Sequence, residues 1–553
     1  ELIERFEVFD VDGSLLQSSR SGPNAFLIPQ SSKVRRITYE VNDVWDYSSD
    51  SEVLAQMLGP DIGPQIAMDP TGTSFIEDSV FLLNFGAIIG YIEPYLSTPI
   101  ELNVKRPQHF FGATSLEKNS IAETHDNYLV DDYYALIDGP IMYCRPDTVS
   151  TVVDGQVYHI ATYSGSDTNR ARLLAEYIHP ICREAEEYVS KVLDSDYWFI
   201  FYHFDASSEM YAALEHTRSS VFCLSNNTRS YEERLLEISA HELLHVLTPK
   251  HLQCRDTKNF NFKNAVPNQH LWLYEGVIQY LALKLCLEAE TLPPEYVLNR
   301  FAKAYVSAKY RYGDRQSLAE FSRTIYDSVS AYHFTYAYEK GTVCAFGLDI
   351  LLTELSGGQT DLLGLLHTLI DNYAPTGVFE DSNLFSDIVS LTFPEIETFI
   401  IENILEENPD VIDEYLAKIG LYRHRMKTYS RGYTFGLYGK YRYSARDNLL
   451  YVDSIPSRFF GYTDFAIEKI EGAALNYETV NRKLLDPEDD TPVVLDIIVE
   501  GKPIQITASP RKFEYEIKKQ VLDKVSSPSE KQKALFEKVM GVSYDDYVVT
   551  VPD

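Results

Sequence analysis

Helical periodicity is nearly absent from the first 160 residues and dominates from Ser230 to about Ala417, so no single layer of one element type accommodates this chain. The opening stretch reads as short alternating segments broken by turn residues, among them Arg35 to Val41, Val80 to Ile92 and Val157 to Tyr163, which predicts a β-sandwich-like domain. From about residue 165 the pattern changes. A helix is expected around Asn169 to Val192, then strands at Tyr197 to Phe204 and Ser219 to Leu224. A helix at Glu339 to Ser356 ends on Gly357-Gly358, a C-cap signal. After about residue 425 short strands return, with helices expected at Tyr477 to Leu485 and Ser529 to Met540. At 553 residues the chain exceeds one core. The reading is multidomain α+β, with units at 1–164, 165–424 and 425–553, the middle one mostly helical.

Within the helical part, residues 241 to 245 read His-Glu-Leu-Leu-His. On a helix, His241 and His245 leave the same face and can grip one ion. Glu242 lies one position round, within reach of a water held by the metal, and is the candidate general base. Ser230 and Glu233 have capping-box spacing, Leu236, Ala240, Leu243 and Leu247 form an apolar stripe, and Pro249 ends the helix. Catalytic zinc takes three protein ligands and keeps one position open. Glu275, in the amphipathic stretch Leu271 to Leu287, is the candidate third ligand, because the next histidine, His251, comes only after Pro249. Trp272, Ile278 and Leu281 are expected to pack inward. Gly276 beside Glu275 weakens a helix, which makes sense where another backbone or a substrate approaches closely. Two His and one Glu form the thermolysin-like set, a metallopeptidase signature expecting one Zn²⁺ per chain.

A net charge of −33 disfavours nucleic acid and anionic membrane surfaces as partners. It would attract cationic groups such as a peptide's amino terminus. No apolar run reaches the roughly 20 residues of a membrane span; the longest, Val80 to Ile92, is interrupted by Asn84 and Gly86. The chain begins at Glu1, which is compatible with a removed leader and a periplasmic, envelope or secreted location, and equally with a cytoplasmic one. Its six cysteines show no C-x-x-C pairing, and Cys286 and Cys344 are expected as buried free thiols.

The chain resembles the glycyl aminopeptidase family, gluzincins related to aminopeptidase N. Arg36-Ile-Thr-Tyr-Glu-Val, Phe111-Gly-Ala-Thr-Ser-Leu and Tyr133-Tyr-Ala-Leu-Ile-Asp-Gly-Pro-Ile resemble its β-domain. Ala213-Leu-Glu-His resembles its G-L-E-H segment, His-Glu-Leu-Leu-His and Leu271-Trp-Leu-Tyr-Glu-Gly its zinc motifs, and Tyr336-Ala-Tyr-Glu-Lys-Gly the segment with the catalytic tyrosine. Phe435-Gly-Leu and Ile467-Glu-Lys-Ile-Glu-Gly are similar to parts of a PDZ-like domain. The resemblance implies a thermolysin-like catalytic domain and a C-terminal PDZ-like domain with a helical tail. It implies His241, His245 and Glu275 as ligands and Glu242 as base. Tyr338 would stabilise the oxyanion and Glu215 would bind the substrate's amino terminus. The implied substrates are peptides with a free N-terminus and small first residues, Gly or Ala, with a C-terminal peptide as partner of the PDZ-like domain. His216 is read either as structural or as lining the cleft.

Two departures lie near the expected cleft. Val246-Leu-Thr-Pro-Lys stands where the family has a W-N-V-K-R-like run, and Ala212-Ala213 where glycines are common. Both bear on the preference for glycine and leave the zinc motifs untouched. Two other functions remain open from sequence: an endopeptidase using the same zinc site, and a PDZ-type binding protein with secondary peptidase activity.

Overall fold

The computed structural model of the protein describes residues 3–22, 25–42, 72–165, 170–204, 211–225, 231–258, 260–311, 316–327, 330, 333–407, 412–437, 441–444, 449–452, 460–475, 483–484, 487 and 489–546. The N-terminal region is β-rich. Ile3–Phe9 pairs with Leu15–Leu16 and Arg36–Val41, and Ile100–Lys105 with His125–Val130. A four-stranded sheet runs Ser74–Ile76, Val80–Leu83, Ile141–Cys144, Phe111–Ala113. The alternation expected to run to Ile92 stops at Leu83. There the Asn84 side chain accepts a hydrogen bond from Gly86 N and caps a short helix, Phe85–Ile88, because a local side-chain acceptor competes with the sheet ladder.

A five-stranded mixed sheet follows, in the order Thr148–Val153, Gln156–Tyr163, Tyr197–Phe204, Ser219–Ser225, Tyr211–Glu215. The three middle strands are parallel, and both edge strands are antiparallel to their neighbours. Side chains alternate across it. Ile200, Tyr202 and Phe204 meet Val80, Leu82 and Met142 of the N-terminal region, whereas Phe199, Phe201 and Phe222 join the core of the helices. Parallel pairing joins Gln156–Tyr163 to Tyr197–Phe204, so residues 148–163 share a sheet with strands whose other members lead into the helices. The helix read at Asn169 to Val192 is broken into Arg170–Glu184 and Glu186–Val189.

Three elements of the helical region carry the argument: the histidine helix (Tyr231–Leu244), the wide turn Trp272–Val277 leading into Ile278–Glu288, and the long helix Thr335–Leu355. The long helix starts earlier than Glu339 and ends where Gly357 and Gly358 take φ of +66° and +85°, which glycine adopts without steric cost. Ser230 of the expected capping box and most of the expected helix Tyr477 to Leu485 lie outside the described residues.

The C-terminal part holds a second sheet with its own core of Leu450, Val452, Ile467, Leu495 and Ile497. It joins the helical unit through a two-stranded ribbon, Leu421–Thr434 against Arg511–Lys524, paired over its full 14 residues. Helix Glu530–Met540 carries a Ser529/Gln532 capping box and closes on Gly541 at φ +68°. This helix packs on the helical unit, where Phe536, Val539 and Met540 enter the main core and Lys531 pairs with Glu354 at 2.8 Å. Its apolar stripe matches the deeper surface, which the sequence pattern alone does not identify. All six cysteines are buried free thiols. Among the described residues no helix is long and apolar enough to cross a membrane.

Candidate metal centre and cleft

The apolar stripe Leu236, Ala240, Leu243 and Leu247 is buried, which fixes the histidine helix with His241 and His245 on the side facing the cleft. The helix stops at Leu244, and Thr248 turns extended (φ −150°, ψ 131°) because the following Pro249 disfavours a helical residue before it. The Thr248 carbonyl then accepts a hydrogen bond from His245 Nδ1 at 3.1 Å, which leaves the Nε2 lone pair directed at the cleft. Nε2 of His241 lies 3.0 Å from that of His245, and Glu275 Oε2 lies 3.4 Å from His241 Nε2 and 3.8 Å from His245 Nε2.

Glu275 reaches this point through a close backbone contact. A Cβ on Gly276 would stand 2.3 Å from Gly341 Cα, so the two helices meet where neither has a side chain. The same approach brings in Tyr338, one turn before Gly341, whose ring centroid is 5.6 Å from that of His241 and whose phenol lies near enough to Glu275 to be raised by it. Tyr336 points elsewhere, donating to the Gln316 carbonyl at 2.9 Å.

Glu215 ends the edge strand, and its carboxylate, that of Glu242 and a His245 ring nitrogen lie within 4.8 Å of one another. The turn after it is clamped from the N-terminal region. Asp138 accepts from Thr217 N at 3.0 Å and from Lys250 Nζ at 3.3 Å, and lies 3.5 Å from His216 Nδ1. His216 is thus buried in this clamp. Asp138 and Lys250 were given no role from sequence; they are 112 residues apart, and no spacing signal connects them.

The electrostatics follow from crowding. Burial, then Glu215 and Glu275, push the Glu242 carboxyl well above its ordinary range, against a smaller opposing pull from Lys250. Burial and His241 bring His245 down to about 3, so its imidazole is neutral. Burial, Glu275 and Glu242 raise the Tyr338 phenol, keeping it a donor. Burial alone would raise Asp138; Lys250, His216 and Thr217 together overcome it and hold the carboxyl below the usual range.

A metal fits these residues. Tetrahedral ligation at about 2.0–2.1 Å spaces ligand atoms about 3.3–3.4 Å apart, close to the 3.0, 3.4 and 3.8 Å found. Glu242 Oε2 and Glu275 Oε2 are buried without a hydrogen-bond partner among the described residues, a costly state for carboxylates that a cation relieves. Two imidazoles plus a carboxylate are a zinc donor set.

Residues 1–145 match the Peptidase M61 N-terminal domain, and residues 234–343 match the M61 glycyl aminopeptidase domain. The second match contains His241, Glu242, His245, Glu275 and Tyr338, while Glu215 lies outside both. An aminopeptidase N family protein from Idiomarina loihiensis superposes with a TM-score of 0.67 at 16% identity, over 98% of this chain and 91% of that one. An M1 zinc metallopeptidase from Deinococcus radiodurans gives a TM-score of 0.42 at 13% identity, over 72% of this chain and 82% of that one. No protein of curated function matches. Residues 1–145 and 234–343 thus carry the two M61 peptidase domains, and the chain is a metallopeptidase.

Proposed function

We propose that the protein is a zinc aminopeptidase that releases small N-terminal residues, Gly or Ala, from peptides, with one Zn²⁺ held by His241, His245 and Glu275. The observation that carries this reading is the convergence of two sets of groups on one cleft. One set is the donor trio with Glu242 and Tyr338; the other is Glu215, a carboxylate at the end of a free sheet edge. Bound zinc supplies Lewis acidity, lowering the pKa of water toward 7 and polarising a carbonyl.

The chain's own groups do the rest. Glu242, buried and beside other carboxylates, has a raised proton affinity suited to taking a proton from the attacking water and handing it to the leaving amine. Tyr338 keeps its proton and donates to the oxyanion of the tetrahedral intermediate. The outer edge of Tyr211–Glu215 offers backbone groups to an extended peptide, and Glu215 accepts its ammonium. Similarity of residues 234–343 to the M61 glycyl aminopeptidase domain supports a small first residue. The C-terminal unit is read as PDZ-like, binding a C-terminal peptide. Support comes from Phe435 and Leu437, both buried in its core around Gly436 at φ +74°.

The test compares glycyl and alanyl amides with their N-acetylated forms, in wild type and Glu215→Ala. Free-amine substrates should be strongly preferred, the gap should narrow in the variant, and bound zinc should be unchanged. Salt separates a close pair from long-range attraction by the −33 charge, since only the latter is screened over about 8–10 Å. Equal cleavage of free and acetylated peptides would establish an endopeptidase instead.

A further inference from the structure

The cleft has a second end. Side chains alternate along a strand, so Tyr211 and Glu215 face the same side of the edge strand, and pairing of Tyr211 with Leu224 identifies it as the helix side. On the histidine helix, Arg234 precedes His241 by seven residues, two turns, so both sit on one face about 10 Å apart. The two elements converge there: the Arg234 guanidinium lies 4.2 Å from the centroid of the Tyr211 ring. Glu215 and His245 therefore mark one end of the cleft, and Tyr211 and Arg234 the other, about 13 Å along the strand.

Arg234 Nε is buried with no hydrogen-bond partner among the described residues. The carboxylate one turn away, Glu237, is already occupied: it accepts from Arg300 at 2.6 Å, Gln279 at 2.8 Å and the Tyr296 hydroxyl at 3.2 Å. A cation in the fourth position of the helix also opposes the helix dipole, where the acids Glu232 and Glu233 are the stabilising choice. Lys303 is also near, its ammonium lowered by burial, Arg300 and Arg234 against an opposing pull from Glu339 and Glu237.

We propose that Arg234, held over the Tyr211 ring, binds the C-terminal carboxylate of short peptides whose amino terminus lies at Glu215. An extended chain advances about 3.3–3.6 Å per residue, so the span between the two ends suits tri- and tetrapeptides. The cleft then reads both termini of its substrate, and the enzyme is a processor of short peptides. This rests on the aminopeptidase reading above.

The experiment measures kcat/KM for Ala-Gly-Gly and Ala-Gly-Gly-Gly, each as free acid and as C-terminal amide. Wild type should favour the acids by about 10- to 100-fold, the range of a charge-assisted hydrogen bond in a partly dry site. Arg234→Gln should bring the acid-to-amide ratio close to one, and Arg234→Lys should restore part of it. Thermal melting checks that both variants fold, and the acid-to-amide ratio of the wild type needs no variant at all. Equal use of acid and amide by wild type, or an undiminished ratio in Arg234→Gln, overturns the assignment. So does an Ala-Gly-Glu amide cleaved as well as a free acid, which would assign Arg234 to acidic side chains. Alanine p-nitroanilide has no carboxylate, and its cleavage tests the underlying reading separately. Failure to cleave it, with acetylated peptides turned over, strikes that reading and removes the register on which Arg234 depends.

Discussion

Gly276 and Gly341 meet backbone to backbone: a Cβ on the first would stand 2.3 Å from Cα of the second, and one on the second 2.6 Å from Cα of the first. Glu275 is the neighbour of one glycine, and Tyr338 lies one turn from the other. The contact therefore sets the distance between a candidate metal ligand and a candidate oxyanion donor. Carbon atoms in ordinary contact are about 3.5–4.0 Å apart, so a methyl group at either position must part the helices by about 1 Å or more.

Gly276→Ala and Gly341→Ala should each destabilise the protein by about 3 kcal/mol, the upper range for overpacking a tight interior. The gain in helix propensity, about 1 kcal/mol, is too small to offset this. Variants that still fold should lose about 10²-fold in activity through displacement of Glu275 and Tyr338. Denaturant titration and kinetics on the folded fraction check both; wild-type stability for either variant would mean that the helices separate without strain.

Glu242→Gln should keep zinc and lose about 10²–10⁴-fold in turnover, because the amide preserves shape and cannot accept a proton. His241→Ala and His245→Ala should lose the metal as well. Metal analysis of the three variants alongside kinetics separates the two kinds of loss. Full activity in metal-loaded Glu242→Gln would remove it as the base.

The elements legible in the sequence were those whose signal is local. The His-x-x-x-His spacing, the stop at Pro249 and the glycine beside Glu275 are each read within a few residues, and the structure brings His241, His245 and Glu275 together. What Gly276 approaches was not legible, because Gly341 lies 65 residues on and nothing in either helix names its partner. The sheet membership of residues 148–163 escaped for the same reason: strand periodicity is a property of one segment, whereas parallel pairing with Tyr197–Phe204 depends on a distant one. Asp138 and Lys250 are ordinary surface residue types in sequence, and only the fold brings them together beside Glu215.

Tyr338→Phe should lower kcat by about 10²–10³-fold with little change in KM, since the hydroxyl is needed most where negative charge develops. Tyr336→Phe is the matched control. Its hydroxyl donates to Gln316 O, so its loss should cost about 1 kcal/mol of stability and leave kcat near wild type. The reverse pattern would exchange the roles of the two tyrosines.

The last prediction concerns the clamp on the edge strand. Asp138 belongs to the N-terminal region yet holds Thr217 N, His216 and Lys250 around Glu215. Asp138→Asn leaves Lys250 without its carboxylate partner and should cost about 3 kcal/mol, the lower end for breaking a largely buried pair. The sign with pH follows from the depressed folded pKa of Asp138. The pair's contribution is complete above the unfolded value of about 3.9 and fades as the pH falls through the folded value. The stability gap between wild type and variant should therefore be full at pH 7 and shrink in strong acid. If the clamp positions Glu215, the variant should also lose discrimination between free and acetylated substrates, while an anilide's dependence on Glu242 and Tyr338 persists. A stability loss with discrimination intact would make the clamp purely structural.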